Sequence, residues 1–147
     1  MRSFSLLAIA LWGGLATAQE PTDAEWAEAF EGFDIAMARG NTTQAADALV
    51  ALLQDEEQED FHPEALHNLG DLLMSLDLPY GALNAYAEAL KAGEAAPVPA
   101  VNKALDVANQ LGDLAILEPI FGDNVGLNVS GEARASMAWL AARQNFR

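Results

Sequence analysis

Cysteine is absent from this 147-residue sequence, and only seven Lys and Arg stand against 22 Asp and Glu. Without cysteine there is no disulfide framework, no thiolate metal site and no lipid-modified N-terminal cysteine. The scarcity of cations sets a formal charge of −15. Such a chain repels phosphate backbones and anionic bilayers, which sets aside nucleic acid and membrane insertion as modes of binding. Glycine-rich phosphate loops are also missing, and Ser75, Ser130 and Ser136 lack the Gly-x-Ser-x-Gly turn that exposes a nucleophilic serine.

No apolar stretch, the N-terminal run included, reaches the roughly 20 residues needed to span a bilayer. That run has its own logic. Met1-Arg2 is a short basic start, residues 4–15 are apolar apart from Ser5 and two glycines, and Ala16-Thr17-Ala18 supplies small residues ahead of Gln19. The pattern predicts a cleaved secretory signal peptide over 1–18 and a periplasmic or secreted location. Its removal takes Arg2 away and leaves 129 residues with six cations against 22 acids. This length is one domain, enough to bury a core.

What the chain does have is helical periodicity. In 24–39, Trp26, Phe30, Phe33 and Met37 recur every three or four residues, with Thr22 or Asp23 placed to cap and Gly40-Asn41 to stop. A second helix is predicted over 43–54, capped by Thr42, with Ala45, Ala46, Leu49, Leu52 and Leu53 facing inward. Asp55-Glu56-Glu57-Gln58-Glu59-Asp60 then places five acids in six residues. Self-repulsion makes this block a solvated helix end or loop, and it fits no calcium-loop spacing. Helices follow over 64–76 and 80–92, broken at Asp77-Leu78-Pro79. Pro97-Val98-Pro99 interrupts before a helix over 100–111, and Gly112-Asp113 turns into a short helix over 114–121 that carries Pro119. A Gly- and Asn-rich loop over 122–131 precedes a last helix over 131–145, with Arg134, Arg143 and Arg147 as the one locally basic stretch.

The stretch 63–96, PEALHNLGDLLMSLDLPYGALNAYAEALKAGEAA, organises this series. With Pro63 as place one, Leu66, Leu69 and Gly70 fall at places four, seven and eight, Leu73 at eleven, Ala82 at twenty, Tyr86 at twenty-four and Ala89 at twenty-seven. This is the spacing of a 34-residue helical hairpin with small residues where its helices cross. The stretch resembles the tetratricopeptide repeat family. The resemblance implies an all-α, tetratricopeptide-like superhelix of two to three hairpins, over about 24–55, 63–96 and 98–124, with a C-terminal capping helix at 130–146. Residues 19–147 would then form a single helical-repeat domain. In the first hairpin Phe33 stands at place eight, where the family has a small residue, so its two helices are expected to sit farther apart there or to cross differently.

In that family, places two, five, nine, twelve and thirteen of each first helix line a concave groove. Carried over, these places give Phe30, Asp34 and Met37 in the first hairpin, Glu64, His67, Asp71, Met74 and Ser75 in the second, and Asn102, Asp106, Asn109 and Gln110 in the third. Asp34, Asp71 and Asp106 all stand at place nine, which predicts a row of carboxylates. Lys103 is the one cation beside them, so the pattern departs from the carboxylate clamps of some family members. An acidic groove with Phe30, Met37 and Met74 between the acids favours a basic, partly apolar segment of a protein or peptide.

The implied role is an exported, non-enzymatic scaffold or adaptor, with no catalytic residue and no cofactor assigned. The alternatives are a self-associating module, in which the basic last helix of one copy meets an acidic face of another, and an accessory subunit of an envelope complex. His67 and Asp71 at i and i+4 are two ligands, too few for a metal site. Asn41-Thr42-Thr43 and Asn128-Val129-Ser130 match the glycosylation acceptor, relevant only in a eukaryotic secretory route.

Overall fold

The computed structural model of the chain describes residues 20–113 and 115–117. The segment 1–18 expected as a signal peptide, residues 114 and 118–121 of the helix expected at 114–121, and the capping helix expected at 130–146 lie outside the described residues; 115–117 form a turn. Five α-helices run in order: α1 (Asp23–Ala38), α2 (Thr42–Gln54), α3 (His62–Ser75), α4 (Pro79–Leu90) and α5 (Val98–Leu111). Short 3-10 turns occupy Glu56–Phe61 and Gly93–Ala95, and no strand occurs among the described residues. Each helix packs on the next, α1 on α2 through to α5. The architecture is all-helical and repeat-like. None of the described helices is long and apolar enough to cross a membrane.

Local chemistry fixes the helix ends. Thr22 and Glu25 form a reciprocal capping box on α1: the Thr22 N–H donates to Glu25 Oε2 at 2.7 Å and the Glu25 N–H to Thr22 Oγ1 at 3.4 Å. Asn41, rather than Thr42, caps α2, its Oδ1 accepting from the Gln44 N–H at 3.1 Å. The helices α3, α4 and α5 each begin with a proline in the first two positions. There the missing N–H has no intrahelical partner to lose. This corrects the start expected for α5: Pro97 stays outside, but Val98 and Pro99 are already helical.

The first, third and fifth helices stop with the same hydrogen-bond pattern. In α1 the Gly40 N–H reaches Met37 O at 3.0 Å and the Asn41 N–H reaches Ala36 O at 2.9 Å. Asp77 and Leu78 do the same to Met74 O and Leu73 O at 3.1 and 2.9 Å, and Gly112 and Asp113 to Asn109 O and Ala108 O at 3.2 and 3.0 Å. These are Schellman turns, which place one residue in the left-handed region. That residue has φ +68° at Gly40, +58° at Asp77 and +68° at Gly112. One stop signal thus recurs three times, with an aspartate in the glycine position of the middle copy.

Packing is continuous along the series. Phe30 of α1, Leu49 and Leu52 of α2, Phe61 and Ala65 form one buried cluster. Ala36, Ala45 and Leu72 form the next. The largest joins Ala82, Leu83, Tyr86 and Leu90 of α4 to Val101, Leu105 and Ala108 of α5, with Leu117 buried against them. The closest approach is at Gly70, where an ideal Cβ would lie 2.6 Å from Tyr86 Cδ1. Only glycine lets α3 and α4 meet this way. In the first hairpin the small residue is Gly32, whose Cβ would be an ordinary 3.6 Å from that of Ala48. Phe33 is turned aside to pack, half-buried, on the first two clusters. At the first crossing Gly32, the neighbour of Phe33, is therefore the residue that faces Ala48 of α2.

Candidate functional site

The candidate groove residues among those described sit on α1, α3 and α5. On α3, Glu64, His67 and Asp71 follow one another at spacings of three and four, so all three lie on one stripe. Across from them α5 presents Lys103, and from below α4 presents the hydroxyl of Tyr86. Lys103 Nζ donates to both oxygens of Asp71, at 2.7 Å to Oδ1 and 2.5 Å to Oδ2. The Tyr86 hydroxyl donates to Asp71 Oδ1 at 2.6 Å. Lys103 Nζ also stands 3.0 Å from His67 Nε2. An ammonium has no lone pair, so Nε2 is the acceptor there and the ring proton sits on Nδ1. That nitrogen faces Glu64 Oε1 at 3.4 Å.

Burial opposes the charge on Asp71, but the hydrogen bonds from Lys103 and Tyr86 outweigh it and hold the carboxyl below its ordinary range. For Tyr86, burial acts first and the adjacent Asp71 carboxylate second, and both push the phenol well above its usual range. The five side chains therefore form one hydrogen-bonded strut across α3, α4 and α5. No buried side-chain nitrogen or oxygen among the described residues is left without a partner.

This geometry changes the reading of several groove residues. Asp71 is not a free acid, because Lys103 neutralises it. His67 is 7% exposed and lies under Lys103. Phe30 is 8% exposed, stacked on Trp26 at a centroid distance of 5.8 Å; Trp26 in turn meets Phe61 edge-on at 4.7 Å. Phe30 is thus a core residue and offers a partner nothing. Met74 is half-buried against the large cluster. Asp34, Met37, Asn102 and Asp106 are exposed. The described structure thus leaves α1 and α5 with free polar and apolar side chains, and makes the α3 stripe between them a self-satisfied floor.

The sequence reading set Lys103 beside the acids and Tyr86 at place twenty-four but paired neither with Asp71. A buried phenol needs an acceptor, which points to Asp71 once α4 is laid on α3. Lys103 follows Asp71 by 32 residues, close to one repeat length, so each hairpin brings it back to the same height. His62 has a third unforeseen role. Its Nε2–H donates to Leu52 O at 3.0 Å and Asp55 O at 3.1 Å, closing the carbonyl end of α2.

Among the described residues, no three His, Asp or Glu side chains are grouped to hold a metal ion. Comparison of the chain with protein-family models, with curated proteins and with solved structures finds no match.

Proposed function

We propose that this chain is an exported, tetratricopeptide-like scaffold that holds a protein partner along the first helices of its hairpins and performs no chemistry of its own. Three features support the repeat reading: the threefold Schellman stop, the Gly70–Tyr86 crossing with Ala82 buried beside it, and the packing of each helix on its successor. The observation that carries the binding reading is the exposure of Asp34 and Met37 on α1 and of Asn102 and Asp106 on α5, either side of the Asp71–Lys103 strut. Exposed carboxylates beside a methionine suit a segment that is basic and partly apolar. Against chemistry, the strut's histidine, tyrosine and carboxylate are each held by hydrogen bonds within the strut.

Partner capture tests the binding reading. The purified protein and an Asp34→Asn/Asp106→Asn variant are compared as baits for envelope extract at low and high salt, with circular dichroism as the check on folding. The expected result is a dominant partner that elutes with salt and is lost by the variant. Equal capture by both baits would remove the acidic residues from the argument. Export is tested separately by the mass of the mature protein, expected to begin at Gln19.

A further inference from the structure

A second concave feature lies on the first hairpin, away from the strut. It is a trough of about 460 Å³ between α1 and α2, closed at one end by Phe61. Its floor is made of Gly32, Ala48 and Ala51, which leave the two helices' outer faces without bulk; its rim carries Glu25, Glu28 and Asp55. Among the described residues neither a lysine nor an arginine lines it, and no residue of α3, α4 or α5 contributes. It is therefore the face of the first hairpin that α3, α4 and α5 leave uncovered. In a stack of hairpins, such a face is where a preceding unit would pack.

The sequence itself contains a segment of matching chemistry. Residues 131–147, GEARASMAWLAARQNFR, hold three of the chain's seven cations and a single acid, with Met137, Trp139 and Leu140 between the arginines. In the chain this segment follows α5, and the trough is built by α1 and α2. A neighbouring copy can present its arginines to the acidic rim of Glu25, Glu28 and Asp55, opposite in charge.

We infer that the 131–147 segment of one copy docks in the α1–α2 trough of the next, arginines to the acidic rim and apolar side chains to the small-residue floor. The contact is head-to-tail, so it links copies in series rather than closing a symmetric pair. It is independent of the partner face proposed above, since it uses neither Asp34 nor Asp106.

Sedimentation of the full-length purified protein tests this with two variants. In the trough variant, Glu28→Lys and Ala51→Lys replace exposed residues; in the tail variant, Arg134, Arg143 and Arg147 become Glu. The native protein is expected to gain mass with concentration at about 0.05 M salt and to return to monomer at about 0.5 M, where charges are screened within a few ångströms. Each variant alone should associate at least about tenfold more weakly, the loss of several rim ion pairs together. Mixed, the two retain one good trough and one good tail, so they should form a pair of one copy each and grow no further. A fluorescein-labelled 131–147 peptide should bind the tail variant and not the trough variant. Native protein that stays monomeric at all concentrations, or a mixture that stays monomeric, overturns the inference, as does a peptide that binds both variants equally.

Discussion

Tyr86 lies across Gly70 so closely that a methyl group on that glycine would stand 2.6 Å from the ring's Cδ1 and 2.8 Å from its Cζ. The ring has little freedom to retreat, because it is 1% exposed and its hydroxyl is tied to Asp71. Two effects of Gly70→Ala oppose each other. Helix propensity favours alanine by about 1 kcal/mol, and overpacking a fixed ring costs about 1–3 kcal/mol. Overpacking should win, with a net loss of up to about 2 kcal/mol in urea unfolding. A stabilised variant would mean that α3 and α4 cross less tightly than the structure has them.

The Asp71–Lys103 contact should make stability depend on acid pH. The folded pKa of Asp71 lies below its ordinary value, so the ionised form is favoured by folding. The resulting stability is fully present above the ordinary aspartate range, about pH 4, and is lost as pH falls through the lower folded value. Lys103→Met should flatten that acid limb. Both side chains are more than a third exposed, so the loss at neutral pH is discounted to about 0.5–1 kcal/mol. Urea unfolding of both proteins at a series of pH values down to about 3 checks it; parallel limbs would mean that the ion pair has no energetic weight.

Tyr86 gives an independent readout of the same strut. The chain has two tyrosines, and Tyr80 is 55% exposed. In a Tyr80→Phe variant the only phenol left is Tyr86, whose ionisation is pushed up by burial and by Asp71. Protonated Tyr86 is favoured by folding, so this contribution persists below the ordinary phenol range, about pH 10, and is lost as pH rises above it. Phenolate absorbance should therefore stay flat through that range and rise only as the protein unfolds. Adding Asp71→Asn should bring the rise to lower pH, because the acceptor charge is gone.

How far the sequence leads can be seen at particular residues. The helices were legible because their apolar spacing is interrupted by glycine and proline at the places where the chain turns; the boundaries of α1 and α2 fall within one residue of expectation. Pro99 misled because proline is a breaker in a helix interior but a good residue in the first turn. Phe30 and His67 were assigned to the groove from their places on their own helices. Spacing gives a direction on one helix and says nothing of what another brings against it: Trp26 and Phe61 enclose Phe30, and Lys103 covers His67 from 36 residues away. The charge on Asp71 was legible, but its neutralisation depends on α5 bringing Lys103 against α3.

Asp77 stands where the other two stops use glycine, at φ +58°. A side chain in the left-handed region costs about 1–2 kcal/mol, while glycine there brings a larger loss of backbone freedom on folding, about 0.5–1 kcal/mol. The carboxylate also sits at the negative end of α3, where an acid is unfavourable. Asp77→Gly should therefore raise stability by about 0.5–1 kcal/mol, seen as a higher urea midpoint with an unchanged slope.

His62 joins two helices with one proton. Its Nε2–H is shared between Leu52 O and Asp55 O at the end of α2, while its own backbone begins α3. The block Glu56–Phe61 between them carries four acids and no cation, so this ring is the donor that holds the carbonyl end of α2 against the start of α3. Removing it leaves two half-buried carbonyls with one donor fewer, a loss of about 1–2 kcal/mol for His62→Ala. His62→Gln keeps an N–H of similar reach and should recover part of that loss. Amide hydrogen exchange separates this from a general weakening: protection should fall first in the last turn of α2 and across Glu56–Phe61, with α4 and α5 unchanged. Uniform loss across all five helices would show instead that the turn is part of a single cooperative unit and that His62 holds the whole fold rather than one joint.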